Sequence, residues 1–306
     1  MRQTAALLLL AAALPTAALG QQAALPAAGG TRVVLLGTGT PNADPDRSGP
    51  SLAIVVRGSV YLVDAGPGLV RRAEAARRRG VGELTQPNLK IVFLTHLHSD
   101  HTLGLPDLMF TPWVLERTTP LEVYGPPGTR AMVAHLSAAY IEDQQVRLDG
   151  WQPQNATGNK AGAHEIHAGE VYRDSNVRVV AFPVPHGSWP NAFGYRFETA
   201  DRTIVVSGDT RPSDEVVRAC NGCDVLVHEV YSTAGFAKRT AAWRRYHAHF
   251  HTSSAELAEI ATRARPTLLV LTHQLSWGVP ADSLLGEIRR AGYTGRVVSG
   301  NDLDVF

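Results

Sequence analysis

Apolar residues arrive in short, punctuated runs along most of this chain, a pattern that predicts strands interrupted by turns and helices. Residues 31–36 form a β-branched apolar run that meets Gly37-Thr38-Gly39-Thr40-Pro41, a strand followed by a turn. The GxG in that turn lacks a third glycine and no helical pattern opens after it, so turn chemistry accounts for it better than a dinucleotide loop does. Further strands are predicted at 51–57, 60–64 and 91–94, with a helix at 68–79 between them. Arg71, Arg72, Arg78 and Arg79 share one face of that helix opposite its apolar positions, which reads as a solvated face. The second half of the chain repeats this alternation, with strands at 177–182, 192–198, 203–207 and 225–229, a helix at 253–263 and a strand at 267–272. Two β-rich halves with outer helices predict an α/β fold, a sandwich layered αβ/βα. No repeat of solenoid or propeller length recurs.

With 306 residues, 44% hydrophobic and 19% charged, the chain can bury a large core, and one globular domain over 31–306 is expected. Its opening, MRQTAALLLLAAALPTAALGQ, has Arg2 ahead of a short apolar core and a small-residue site at Ala18-Leu19-Gly20. Residues 1–20 therefore read as a signal peptide cleaved near Gly20, with 21–30 as a flexible lead-in and the mature protein periplasmic or secreted. Pro15 breaks the apolar run short of the ~20 residues a membrane span needs, and no later stretch is long and apolar enough. A net charge of +1 gives no bulk attraction to nucleic acid or anionic membrane, so recognition must be local. The only cysteines, Cys220 and Cys223, could hold half a zinc site but have no second pair; a local disulfide and two buried thiols are the remaining readings.

The chemistry gathers behind the strand at 91–94, in Thr95-His96-Leu97-His98-Ser99-Asp100-His101. Packing cannot explain four ligand-type side chains in six positions, because one unsatisfied buried imidazole already costs ~1–3 kcal/mol. In extended backbone His96 and His98 point the same way and can share one ion, while the following turn swings Asp100 and His101 toward a second. Three more ligand-type residues each end an apolar run: His186, Asp209 and His273. A strand end is where backbone is rigid and a side chain reaches the sheet edge.

H-x-H-x-D-H followed by these three residues resembles the metallo-β-lactamase superfamily over nearly all of 31–306. The resemblance implies a four-layer sandwich of two mixed β-sheets flanked by helices. It implies two Zn²⁺ ions, one held by His96, His98 and His186, the other by Asp100, His101 and His273, with Asp209 bridging. Asp64, in VDAGPG, resembles the aspartate that braces the histidine loop. Nitrogen and oxygen donors without thiolate suit zinc and also admit manganese or iron. Such a pair implies ester hydrolysis by a metal-bridged hydroxide, with Asp100 helping to orient it.

Proton donors for the leaving group are available in His228-Glu229 and in the segment 246–253, Tyr-His-Ala-His-Phe-His-Thr-Ser, read as a loop ahead of a helix. Here SGDTRPSDEVV, VHEV and HTSSAELAEIA resemble the ribonuclease Z branch, which implies His251 as general acid oriented by Glu229. The departures are Val230-Tyr231 for Ala-Thr and the inverted order of Thr252-Ser253. His247 and His249 read equally as solvent-facing or as substrate contacts. Transfer-RNA-processing members carry a long arm between the third histidine and the bridging aspartate, where this chain has only residues 187–208. Their basic N-terminal loop is replaced by PNADPDRSGP, whose two added acids repel phosphate. Together with the leader, these features resemble a secreted arylsulfatase-like sister branch, so a small sulfate or phosphodiester ester is the expected substrate. A ribonuclease Z-type 3′ transfer-RNA endonuclease and a lactonase are the alternatives. Nucleic acid is disfavoured for want of the arm, and homodimerisation is left open. Trp113, Trp151, Trp189 and Trp277 are expected to form an aromatic wall at the site.

Overall fold

The computed structural model describes residues 30–306, so the expected leader and all but the last residue of the lead-in lie outside the described residues. Six strands make one sheet in chain order: β1 (Arg32–Gly37), β2 (Ser51–Val56), β3 (Ser59–Val63), β4 (Ile91–Phe93), β5 (Leu121–Gly125) and β6 (Ala161–Glu165). Seven make the other: β7 (Gly169–Arg173), β8 (Arg178–Pro183), β9 (Phe193–Glu198), β10 (Thr203–Val206), β11 (Val225–Tyr231), β12 (Leu268–Leu275) and β13 (Val297–Ser299), again side by side in sequence order. Each sheet is mixed. Pairing is antiparallel from β1 to β3 and from β7 to β10, then parallel from β3 to β6 and from β10 to β13.

The helices are α1 (Leu69–Arg78), α2 (Ser99–Thr102), α3 (Leu105–Val114), α4 (Thr129–Ala139), α5 (Ile141–Asp149), α6 (Asp214–Cys220), α7 (Thr233–Ala237), α8 (Ala241–Phe250), α9 (Ser254–Ala264) and α10 (Ala281–Arg290). Three apolar clusters define the layers. Val34 and Leu36 of β1 face α1 and α3, packing with Leu69, Ala73, Leu108 and Trp113. Val33 and Leu35 face the other way, against Phe93, Tyr195, Phe197 and Val270 between the sheets. A strand buried on both faces needs apolar residues at every position, which is why β1 reads as a continuous run. The third cluster joins β10, β11 and β12 to α6, α9 and α10. The order is helix, sheet, sheet, helix, the four-layer α/β sandwich expected from the sequence. No helix among the described residues is long and apolar enough to cross a membrane.

Cys220, at the end of α6, is disulfide-bonded to Cys223, and both are buried. Of the arginines read as a solvated face, Arg71, Arg78 and Arg79 are exposed, with Arg71 paired to Asp107 and Arg78 to Glu74, whereas half-buried Arg72 donates to Ser48 Oγ at 2.9 Å and lies 3.4 Å from Asp302 Oδ2. One local reading is corrected: 246–250 is not loop but the last turns of α8, started by the Thr240 side chain accepting from the Trp243 N–H and ended at His251, whose backbone is extended.

Candidate metal centre and catalytic pair

All seven sequence-read ligand residues come to one edge of the sandwich, between the C-terminal ends of the central strands of both sheets. His96 Nε2 lies 2.9 Å from His98 Nδ1, which lies 3.1 Å from His186 Nε2. These three and an Asp209 oxygen fall within 4.8 Å of one another, as do ligand atoms of Asp100, His101 and His273. Asp209 Oδ2 stands between the groups, 4.0 Å from His96 Nε2 and 3.4 Å from both His101 Nε2 and His273 Nε2.

Backbone geometry delivers these atoms. His96 and His98 follow β4, and one turn of helix, α2, then brings Asp100 and His101 round. Gly208 precedes Asp209 with φ of 61°, and a Cβ there would lie 2.9 Å from Thr95 Cβ, so glycine lets β10 end hard against the histidine loop. His273 is a bulge: Thr272 pairs with Glu229 and Gln274 with Val230, leaving His273 unpaired at φ 43° and turned into the site. Gly187, at φ 53°, lets the chain after His186 pack on the Phe250 ring, which a Cβ would meet at 2.1 Å.

The outer nitrogens are held. Thr95 Oγ1 is 3.0 Å from His96 Nδ1, His186 Nδ1 donates to the Phe250 carbonyl at 2.8 Å, and His101 Nδ1 meets Asp64 Oδ2 at 2.8 Å. Each contact leaves a lone pair on the inward nitrogen. Asp64 also accepts from the Thr95 N–H at 2.8 Å, from a left-handed backbone at φ 60° that aspartate tolerates.

The electrostatics fit a pair of cations. Burial, then neighbouring imidazoles, push His96 well below the usual histidine range, and burial takes His186 to about 3, so both present neutral lone pairs. In the second group burial opposes charge on His101 and His273, yet Asp209 and its neighbouring carboxylates win and raise both. That cluster thus demands positive charge, and buried His101 Nε2 has no hydrogen-bond partner. Replacing Asp64 with asparagine keeps the acceptor for Thr95 but not for His101. We expect roughly 10–100-fold weaker metal binding in a folded protein, read by competition with a zinc-chelating dye.

Beside the clusters lies a proton-handling pair. His251 Nδ1 is 3.4 Å from Glu229 Oε1, which accepts from the Thr252 N–H at 2.9 Å. Burial lowers His251 to about 4, while burial and then the Asp209 charge push Glu229 well above the carboxylate range. Ligand atoms of Asp209, His251 and His273 also lie within 4.8 Å of one another, so His251 stands close enough to reach an ion as well.

Other expectations are revised. His228, next to Glu229 on a strand, faces the opposite way: it is fully buried, with Nδ1 on the Glu229 carbonyl at 2.6 Å, and is not in the site. His247 is buried against Trp243 and Trp277, whereas exposed His249 bonds its own helix through the Arg245 carbonyl. Of the four tryptophans, Trp189 reaches His98 Nε2 at 2.6 Å and Trp277 flanks His247. Trp113 is instead buried in the α3 core with its indole on the Asn155 carbonyl, and Trp151 is fully exposed. Tryptophan in loop-like sequence carries no mark of which surface it will face. Thr95 and the Phe250 carbonyl went unread because a bracing hydroxyl or backbone oxygen has no spacing signature.

Residues 60–274 match the family model described as "Beta-lactamase superfamily domain". Proteins named ribonuclease Z from Mycobacterium bovis (strain BCG / Pasteur) and Mycobacterium marinum are 33% and 34% identical, each over 89% of this chain and 96% of their own. The M. bovis alignment runs over 275 residues at those coverages and has no room for a long insert, so the short 187–208 interval does not separate this chain from that relative. Human tRNase Z, short form, superposes with a TM-score of 0.65 at 24% identity, over 90% of this chain and 98% of that one. A metallo-β-lactamase fold protein from Bacillus subtilis gives 0.66 at 17% identity, over 90% and 98%. This chain is a metal-dependent hydrolase that belongs to the metallo-β-lactamase superfamily, in its ribonuclease Z branch.

Proposed function

We propose that this protein hydrolyses phosphodiester bonds, RNA included, in the manner its ribonuclease Z relatives' name describes. That reading replaces sulfate esters as the first substrate class, and the observation that carries it is near full-length similarity to those relatives together with the Glu229–His251 pair. His96, His98 and His186 would hold one divalent cation, Asp100, His101 and His273 the other, and Asp209 both, with zinc the best match to the donors. When bound, two such ions lower the pKa of water and neutralise phosphate charge.

The chain's own residues do the rest. Asp100, 3.3 Å from His273 Nε2, is the carboxylate assigned to orient the attacking water. His251 Nδ1 lies 3.4 Å from Glu229 Oε1 and 3.9 Å from Asp209 Oδ2, which puts its imidazole beside the metal ligands as the group to protonate the leaving oxygen. Alone, an imidazole lowered to about 4 would be unprotonated at neutral pH. The Glu229 carboxyl is raised well above the usual range, so it favours holding a proton beside the imidazole, which passes one to the alkoxide as it departs. Trp189 and Phe250 shield the His98 side from water.

The Cys220–Cys223 bond favours a second reading, an exported hydrolase of small esters, since such bonds persist in oxidising compartments. One panel decides: zinc-loaded protein with precursor transfer RNA carrying a 3′ trailer, bis(4-nitrophenyl) phosphate, 4-nitrophenyl sulfate and an acyl-homoserine lactone. Both diesters are expected to be cleaved far faster than sulfate or lactone. Faster sulfate or lactone cleavage would overturn the assignment.

A further inference from the structure

We propose that α8 and its lead-in, residues 238–250, form a binding surface for a single-stranded polynucleotide, with phosphates on the arginines and bases on Trp243. The proposal rests on the phosphodiesterase reading above and names how a polymeric substrate would be gripped in the absence of a long arm.

Charge is the first observation. Residues 230–255 contain Lys238, Arg239, Arg244 and Arg245 and no Asp or Glu, in a chain whose net charge is only +1. Lys238, Arg244 and Arg245 are exposed. Some exposed arginines elsewhere, such as Arg78, Arg173 and Arg218, are paired with carboxylates and others, such as Arg57 and Arg130, are not; these four share one short acid-free segment, and no ion pair among the described residues involves them. An unpaired cation cluster beside a phosphodiester centre is the electrostatic complement of a phosphate backbone.

The second observation is an aromatic platform on the same helix. Trp243, 49% exposed, stacks on His247 at 5.6 Å and 23°. The Arg239 guanidinium lies 5.7 Å from the Trp243 ring and 5.5 Å from that of Trp277. Tyr246 stacks on Phe250 at 4.2 Å, and Phe250 packs against His186 and His98. Beneath the platform, buried His247 Nδ1 and Arg239 Nε have no hydrogen-bond partner. The helix runs from Trp243 to its end at His251, a path of about 12 Å at helical rise, so a strand lying along it would enter the metal centre. Stacking is tolerant of sequence because every base has a π-face.

The test uses the full chain, a short fluorescein-labelled single-stranded phosphorothioate oligonucleotide for binding, and an unmodified oligonucleotide and bis(4-nitrophenyl) phosphate as substrates. Trp243→Ala should weaken oligonucleotide binding on the order of 10-fold. The double substitution Arg244→Ala/Arg245→Ala should lower the slope of log K against log salt by about 1.4, two phosphate contacts at ~0.7 each. Both variants should lose kcat/KM on the unmodified oligonucleotide at least several-fold more than on the small diester. Equal loss on both substrates would mean that the helix only positions His251, and unchanged affinity and salt slope would remove the surface outright. Binding to phosphatidylserine vesicles with no oligonucleotide affinity would reassign it to a membrane and overturn the proposal. If the parent protein fails to cleave bis(4-nitrophenyl) phosphate, the phosphodiesterase reading fails separately.

Discussion

Replacing Asp209 with alanine should abolish hydrolysis, with kcat down on the order of 10⁴-fold or more, because residues acting as one unit lose nearly everything when one is removed. Its carboxylate is the only one among the described residues within 4.0 Å of His96, His101 and His273 together. Loss of either cluster alone would leave the other; loss of Asp209 strips both. The His101 and His273 imidazoles, raised chiefly by Asp209, then lose the charge that holds their protons. Metal content should fall below one equivalent per chain while circular dichroism stays native, since the three apolar clusters do not include this residue. Asp209→Asn guards against a folding artefact: it keeps the shape and one oxygen but not the charge, and should be nearly as inactive. A variant with full activity and two metals would refute the bridging role.

His251→Ala should separate substrates by their leaving groups. With a ribose or alkyl alkoxide leaving, the departing oxygen needs a proton and kcat should drop ~10²–10⁴-fold; with 4-nitrophenolate, which leaves unaided, the loss should be slight. Metal content should not change, and this distinguishes an acid from a ligand, a distinction the proximity of His251 to Asp209 and His273 makes necessary. The pH dependence has a definite sign. A group lowered to about 4 would lose its proton before neutrality, so acid catalysis by His251 alone would fade above that pH. Glu229 is raised well above the carboxylate range, so the pair holds its proton to higher pH than His251 alone would, and activity on poor leaving groups should decline as pH rises through its release. Glu229→Gln should move that decline toward acid pH. Equal losses for both leaving groups in His251→Ala would take it out of the acid role.

Much of the centre was legible because ligation leaves a trace in sequence. An apolar strand that ends on histidine or aspartate conflicts with burial, and His96, His186, Asp209 and His273 were all found by that conflict. Strand positions followed for the same reason: β1 and β10 are buried almost throughout and read as continuous apolar runs, while β11 and β12 break theirs only at the site end, with His228-Glu229 and His273. What stayed illegible depends on shape. The bulge that aims His273 inward needs the register with Glu229, which a single strand does not encode. The edge strands β6 and β7 have mixed exposure, and their pattern offers no clean alternation. At the end of α8, histidines at 247 and 249, with His251 just beyond the helix, mimic the period of a strand or loop, and the helix is set by the Thr240 cap and by packing of His247 beneath Trp277. Trp113 and Trp151 looked equivalent to Trp189 because burial and proximity to His98 are properties of the fold.

The most direct test of the centre is anomalous diffraction at the zinc edge from crystals of the zinc-loaded protein. Two peaks per chain are predicted, one bonded to His96 Nε2, His98 Nδ1 and His186 Nε2, the other to Asp100, His101 and His273, with Asp209 touching both. A single peak, no peak, or zinc bound away from these side chains would contradict the account.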